Sequence, residues 1–415
     1  DTYIDLAVVA SGKTLIGGSK TYVGQIALFY GGPSGIFNST AADANVTIKG
    51  SSRSYFGNRM LFDDVNNDSY NDIIVGAYGK NLSGGALDWT GQVNIFYSSG
   101  GTFRGMTADN ANITLNGTVV GDSFGIEMLL ADTNKDTYKD LIISASGKNI
   151  SGGASDNTGQ IYIFYGGSSG FHSYTAAEAN VTINGTLFGY LGRIVLADFN
   201  NDGYEDLAAG AHGLNLSNGA TDWTGQAYIF YGSSSGLHSY TAADANITLN
   251  GTSPGYFGDN IKSGDFNNDG YEDLVVSADG INISGGALDN TGQVYIFYGS
   301  AGGFASGTAN HANVTLNGTS PSIFGVSLLA DYINNDSYLD LVVGARMKNL
   351  SGGAADRTGQ VYIFYGSADG LHSYTSAEAN VTINGTAVGR DFGTTIISAN
   401  IFNYGINDLI IGSIG

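Results

Sequence analysis

Cysteine is absent from all 415 residues, so no disulfide framework holds this chain and thiol usage says nothing about its redox compartment. Charge is scarce too: 13% of residues are Asp, Glu, Lys or Arg, and their balance is −21 with a pI near 4.2. So acidic a surface repels phosphate backbones and anionic lipid, which excludes nucleic acid and anionic membranes as partners. No stretch reaches the roughly 18 apolar residues of a membrane span. Helix signals are nearly missing, since no long 3.6-residue apolar period appears and glycine fills 64 positions. An initiating Met and a signal peptide are also lacking. The chain opens on Asp1-Thr-Tyr-Ile-Asp5, the middle of a repeat, and we expect a processed or truncated piece of a longer precursor.

What is present is repetition. The segment Asp198-Phe-Asn-Asn-Asp202-Gly-Tyr-Glu-Asp206-Leu recurs about every 67 residues, its last Asp falling at Asp5, Asp72, Asp140, Asp206, Asp273, Asp340 and Asp408. A fixed period of this length means supersecondary units that stack on their neighbours. From Phe257, one unit predicts four strands. Strand A spans 257–264, strand B is Asp273–Ala278, strand C is Gly292–Gly299, and strand D is Ala312–Gly318, ended by an Asn-Gly turn. Four-stranded, helix-free units repeated six or seven times predict an all-β fold, a β-propeller over residues 1–415 with seven blades, or alternatively six. Strand B occurs seven times and strands A, C and D six times each, so the first and last blades, about 1–50 and 388–415, are incomplete. Edges that apolar need a cover, from further chain or from a neighbouring subunit.

The acidic loops carry the chemistry. Ca²⁺ takes six to eight oxygens from carboxylates, amides, backbone carbonyls and water. Asp198, Asn200, Asp202 and Asp206 supply three carboxylates and one amide at loop positions 1, 3, 5 and 9, and the Tyr204 carbonyl adds a candidate at position 7. The same set recurs as Asp64, Asn66, Asp68 and Asp72, as Asp132, Asn134, Asp136 and Asp140, and as Asp265, Asn267, Asp269 and Asp273. An EF-hand begins with this spacing but ends on a Glu at position 12 between helices, both missing here. Position 6 is Gly203 and Gly270 in two loops but Ser69 and Thr137 in the others, which predicts a different or weaker shape there. The fifth loop reads as one residue longer, with Asp331, Asn334, Asp336 and Asp340 as its ligands. The last copy, with Asn400, Phe402 and Tyr404, is expected to bind nothing, and the first keeps only Asp1 and Asp5. The alternative is an Asx-rich turn without metal. Three carboxylates in one tight turn repel one another unless a cation sits among them, and that favours Ca²⁺.

Phe56-Gly57, Phe124-Gly125, Phe257-Gly258, Phe324-Gly325 and Phe392-Gly393 each precede an acidic loop. Gly76-Ala77, Gly210-Ala211 and Gly344-Ala345 follow strand B. With the Gly-Gln-Val-Tyr-Ile-Phe-Tyr strand, this pattern resembles the FG-GAP repeats of the integrin alpha-chain propeller along essentially the whole chain. The resemblance implies a seven-bladed propeller, calcium in the A–B hairpin loops, and adhesive or protein-binding work outside the cell. Departures are Leu191-Gly192 in place of Phe-Gly, no Pro after Gly-Ala, and unusually uniform repeats.

Sequons recur in register. Strand D carries Asn45, Asn112, Asn180, Asn246, Asn313 and Asn380, and the B–C loop carries Asn81, Asn149, Asn215, Asn282 and Asn349. A glycan on an outermost strand would block edge pairing, so these are candidate N-glycosylation sites. The Asn-Gly-Thr set at the end of strand D is equally well explained as a hairpin turn.

No catalytic constellation stands out. His172, His238 and His372 share one repeated context, which is a structural role, and His212 and His311 lie in loops without a nucleophile nearby. Trp89 and Trp223 both sit in Asp-Trp-Thr-Gly-Gln and read as B–C loop packing. The functional expectation is a non-enzymatic, extracellular, calcium-stabilised and N-glycosylated module for adhesion or structure at a cell surface. It would serve as a subunit of a filament or surface layer whose partners include neighbouring copies of itself through strand complementation. The rival reading is a lectin-like propeller that binds glycans.

Overall fold

The computed structural model of the chain describes residues 5–12, 22–32, 40–51, 53–84, 88–150, 156–216, 222–283, 290–319, 321–350, 356–400 and 407–413. Among these, the architecture is all-β, with thirty strands and six 3-10 turns of three residues. Two compact units divide the chain: one mainly Asp1–Ile194 with Gly232–Ala243, the other mainly Val195–Tyr231 with Asp244–Asn400.

The first unit begins with β1 (Leu6–Val9), β2 (Gln25–Phe29) and β3 (Val46–Lys49). Two complete repeats follow: β4 (Met60–Asp63), β5 (Asp72–Ala77), β6 (Gln92–Phe96), β7 (Met106–Thr107) and β8 (Ile113–Asn116), then β9 (Met128–Ala131), β10 (Asp140–Ala145), β11 (Gln160–Phe164), β12 (Tyr174–Thr175) and β13 (Val181–Asn184). Next come β14 (Arg193–Ala197), β15 (Asp206–Ala211), β16 (Gln226–Phe230), β17 (Tyr240–Thr241), which falls in the first unit, and β18 (Ile247–Asn250). The second unit continues with β19 (Ile261–Gly264), β20 (Asp273–Ala278), β21 (Gln293–Phe297), β22 (Gly307–Thr308) and β23 (Val314–Asn317). It ends with β24 (Phe324–Asp331), β25 (Asp340–Ala345), β26 (Gln360–Phe364), β27 (Tyr374–Thr375), β28 (Val381–Asn384), β29 (Thr395–Ala399) and β30 (Asp408–Gly412).

Each complete repeat is an antiparallel four-stranded sheet, the blade of a β-propeller. Register is the same from blade to blade: Ile73 faces Phe96 and Ala77 faces Gln92, as Leu274 faces Phe297 and Ala278 faces Gln293. The second strand of each complete blade is buried along its whole length, and this is why it reads as an unbroken apolar run rather than an alternating one. The opening sheet has no strand ahead of β1 among the described residues, and β29 pairs with β30 alone, so the strand count expected from the sequence is what appears. Strand ends differ by a few residues. Strand A starts at Ile261 rather than Phe257, and strand D at Val314, which leaves Asn313 just outside it.

The Phe-Gly pair has a packing explanation. Phe56, Phe124, Phe257 and Phe324 are fully buried and meet Phe96, Phe164, Phe297 and Phe364 edge-on, with centroids 6.2–6.4 Å apart. The glycine after each holds φ between +90° and +98°, and a Cβ on Gly258 would lie 2.6 Å from the Gln226 carbonyl oxygen. Leu191-Gly192 departs from this plan. Leu191 is still fully buried, but Gly192 is not in the left-handed region and its strand reaches the acidic loop one residue sooner.

One element was not foreseen. The C–D connection of each repeat contributes a two-residue strand that adds in parallel to the outermost strand of the preceding blade: β7 on β3, β12 on β8, β17 on β13, β22 on β18 and β27 on β23. The outermost strand edges are therefore covered within the chain at those five places, whereas the open edges of the β1 and β30 sheets, which the strand count left bare, gain no such cover among the described residues. The following 3-10 turn is fixed by a capping box, as when Thr175 N–H donates to Glu178 Oε2 at 2.7 Å.

Candidate functional site

The acidic loops join the first and second strands of each blade. In the loop after β14, Asp202 N–H donates to Asp198 Oδ1 at 2.9 Å and to Asn200 Oδ1 at 2.9 Å. Gly203 N–H donates to Asp198 Oδ2 at 2.7 Å, and Tyr204 N–H to Asp202 Oδ1 at 2.9 Å. The same four bonds, within about 0.2 Å, hold the loops of Asp64, Asp132 and Asp265. Positions 1, 3 and 5 are thus turned toward one loop interior by the backbone itself.

Position 6 corrects an expectation. Ser69 and Thr137 adopt φ of 72° and 79°, beside 86° and 87° for Gly203 and Gly270, so all four loops share one shape. Two L-residues accept a left-handed conformation that costs roughly 1–2 kcal/mol, because the N–H bond to the position-1 carboxylate is worth keeping.

Position 9 is the first residue of the buried strand. Asp72, Asp140, Asp206, Asp273 and Asp340 are all fully buried. Asp72 accepts the N–H of Val65 at 3.3 Å and of Ser98 at 2.9 Å, and Asp273 accepts those of Phe266 and Gly299, both at 2.8 Å. Burial, opposed by these hydrogen bonds and reinforced by the neighbouring loop carboxylates, pushes Asp72 up to about 6 and Asp273 up to about 7. Asp140 and Asp340 are raised for the same leading reason. No Lys, Arg or His pairs with Asp72, Asp140, Asp273 or Asp340 among the described residues.

The fifth loop is not longer after all. Asp331 pairs with Asp340 as Asp63 pairs with Asp72, so Asp331 belongs to the strand end and Tyr332 stands at position 1. The Asp331 carboxylate instead accepts from Tyr332 N–H at 2.8 Å and Asn407 Nδ2 at 2.9 Å. Asn334, Asp336 and Asp340 keep their loop places, but Ser337 lacks the left-handed φ of its counterparts. Asp5 receives Gly31 N–H at 2.8 Å, whereas Asp1, Phe402 and Tyr404 lie outside the described residues.

Among the described residues, no three His, Cys, Asp or Glu side chains are drawn together tightly enough to hold a metal ion. The donor chemistry nonetheless fits a hard divalent cation. One donor in four is Asn, and an ionised carboxylate oxygen that takes one N–H keeps a further lone pair.

The sequon asparagines fall into two environments. Asn45, Asn112, Asn180, Asn246, Asn313 and Asn380 are exposed, and each Oδ1 accepts one N–H, from Tyr30, Tyr97, Tyr165, Tyr231, Tyr298 and Tyr365, at 2.8 Å throughout. Asn81, Asn149, Asn215, Asn282 and Asn349 are half-buried, as in Asn215, whose Oδ1 receives Asp222 N–H at 2.7 Å. The turn asparagines are hydrogen-bonded to the adjacent strand: Gln92 Nε2 donates to Asn116 Oδ1 at 2.7 Å.

Trp89 packs on Tyr55 and Tyr78, and Trp223 on Tyr256. In another repeat, the same pair of positions holds Arg357 and Asp391 as an ion pair. His311 caps a 3-10 turn through Thr308 N–H at 3.0 Å, and His172, His238 and His372 lie edge-on to Tyr174, Tyr240 and Tyr374.

The FG-GAP repeat model matches residues 192–230 and 257–297. The chain carries FG-GAP repeats. Phosphatidylinositol-glycan-specific phospholipase D of Bos taurus is 35% identical over 186 residues, 44% of this chain and 21% of that protein. The Homo sapiens protein is 31% identical over 226 residues, 52% of this chain and 25% of its own length. Integrin alpha-IIb of Homo sapiens is 33% identical over 167 residues, 39% of this chain and 15% of the integrin. The chain therefore spans about a quarter or less of these relatives. The FG-GAP matches start where the Leu191-Gly192 and Phe257-Gly258 pairs stand, and each takes in an acidic loop. No helix among the described residues is long and apolar enough to cross a membrane.

Proposed function

We propose that this FG-GAP chain is a single calcium-stabilised propeller that serves outside the cell as an adhesion or structural module. Kinship with an integrin alpha chain and with a phospholipase points to the cell surface. The observation that carries the calcium part is the fully buried position-9 carboxylate, repeated in register in four blades, with the position-1 and position-5 carboxylates of the same loop acting on Asp72 and on Asp273. Calcium would be held by Asp64, Asn66, Asp68 and Asp72, and by the corresponding residues of the Asp132, Asp198 and Asp265 loops. When bound, the ion neutralises a cluster that otherwise repels itself. The chain's own part is to aim positions 1, 3 and 5 at one loop interior through backbone N–H bonds.

We read the module as binding rather than catalytic, since apart from His172, His238 and His372 of the repeated context every histidine is engaged in a cap or lies against Asp259. The exposed asparagines led by Asn45 are the better N-glycan acceptors, and the half-buried set led by Asn81 the poorer. Assembly with neighbouring copies through the sheets of β1 and of β30 fits a filament or surface layer. The aromatic positions that would serve a lectin are packed on other rings.

The deciding experiment is calcium titration by calorimetry alongside thermal melting with and without chelator. A site with a Kd of about 10 μM in about 1 mM calcium adds roughly 2.7 kcal/mol. No heat of binding and superposed melting curves would remove calcium from this proposal.

A further inference from the structure

The acidic loops do more than sit at the ends of their own blades. Each of the four loops with a full donor set is the seat for the C–D connection of the next blade. Gly170 (φ 74°) rests on the loop of Asp64: a Cβ there would lie 2.8 Å from the Val65 carbonyl oxygen and 3.1 Å from Asn66 Cα. A Cβ on Gly236 (φ 82°) would lie 3.0 Å from the Thr133 carbonyl oxygen and 3.3 Å from Asn134 Cα, one on Gly303 (φ 74°) 3.4 Å from Asn200 Cα, and one on Gly370 (φ 76°) 3.1 Å from Asn267 Cα. In every copy the contacted residue is position 3 of the loop, the amide donor of the calcium set. Asn67 Nδ2 also donates to the Gly167 carbonyl at 3.2 Å.

From that seat the connection runs directly into the edge strand. Tyr298 Oη donates to the Leu371 carbonyl at 3.0 Å, Ser373 Oγ accepts Thr315 N–H at 3.0 Å, and Tyr374–Thr375 then pair with Leu316–Asn317. Equivalent Ser bonds hold Thr114, Thr182 and Thr248 at 3.0–3.1 Å. A parallel pairing of two residues and two hydroxyl bonds is a weak latch, so it depends on the seat below it.

We infer that calcium occupancy of each acidic loop is coupled to closure of the edge-strand latch from the following blade. This rests on the calcium reading above. Positions 1, 3, 5 and 9 would hold the ion and, so occupied, would fix the backbone of position 3, against which the left-handed glycine docks. In the metal-free loop the carboxylates repel, position 3 moves, and the latch opens before the blade does. The outer strand edge thus released is a template for pairing with another chain, so calcium loss turns a covered edge into a self-association surface. Coupling of this kind is reciprocal, so damage to the latch weakens calcium binding.

The test is hydrogen exchange of the intact chain in calcium and in EDTA, read at Thr114–Asn116 with Tyr174–Thr175 and at Thr315–Asn317 with Tyr374–Thr375. Coupling predicts exchange at least about tenfold faster in EDTA at these amides, while β5 and β20 keep their protection. Gly370→Ala should lower calcium affinity at the Asp265 loop about tenfold without touching an oxygen donor. Ser373→Ala, which leaves the glycine seat intact, should lower it about threefold. Calcium binding with unchanged latch exchange, or with unaltered affinity in both variants, overturns the coupling alone. No calcium binding at all overturns both this inference and the reading beneath it.

Discussion

The loops ending at Asp273 and Asp340 lie one repeat apart and enter the same buried strand with the same register, yet they are different electrostatic objects. The first has carboxylates at positions 1, 5 and 9, a left-handed Gly270, and a position-9 group pushed up to about 7. The second has Tyr332 at position 1, so its turn carries one charge fewer and Ser337 stays out of the left-handed region. Backbone plan and charge are therefore separable here. The hairpin forms without the full donor set, which means that the set answers to something other than folding the turn.

The largest expected effect comes from chelation. EDTA should lower the melting temperature by roughly 10 °C or more, given about 2–4 °C per kcal/mol for units of this size and about 2.7 kcal/mol for each loop. Asp265→Ala should remove one calcium equivalent by titration, and Asp331→Ala none. Equal loss from both would erase the difference between the two loops.

Next is pH. Asp72 and Asp273 have folded-state values raised above the unfolded value near 3.9, so in metal-free protein their contribution is fully present below about pH 4 and is lost as pH rises through about 6 and about 7. Metal-free protein should melt higher at pH 5 than at pH 8. Calcium needs the ionised carboxylates, so its stabilisation should grow across the same window. Calorimetry at both pH values, with and without calcium, checks the sign, and a metal-free protein more stable at pH 8 contradicts it.

Tyr332→Asp should give the fifth loop a position-1 carboxylate and about one further calcium equivalent, read by the same titration; an unchanged stoichiometry would show that more than one residue separates the loops. The smallest effect is Thr137→Gly. Relief of a left-handed threonine should raise stability by about 0.5–1 kcal/mol, or about 1–4 °C, in a melting curve. A fall would mean that the threonine side chain contributes to its loop.

Much of this was legible in the residues. The period, the four-strand unit and the uneven strand count all follow from where Asp-x-Asn-x-Asp and the apolar runs fall, because strand order in a repeat is written in its turn chemistry. The position-1 misassignment at Asp331 has an equally plain cause: Asp63-Asp64 shows that an extra Asp can precede the loop, and only strand register tells the two apart. The parallel latch strands escaped notice because two residues carry no periodicity. Their only sequence mark is the Thr-x-x-Glu capping box that follows, at Thr175 and Thr375.

By itself the sequence determined the β-blade repeat, the chemistry of its loops and their acidic character, since local spacing controls all three. Which edges are covered, which asparagines reach solvent, and which loop seats which glycine were decided only by tertiary structure. The edge and seat relations join residues about 60 to 100 positions apart, and they arise when one blade docks on the next.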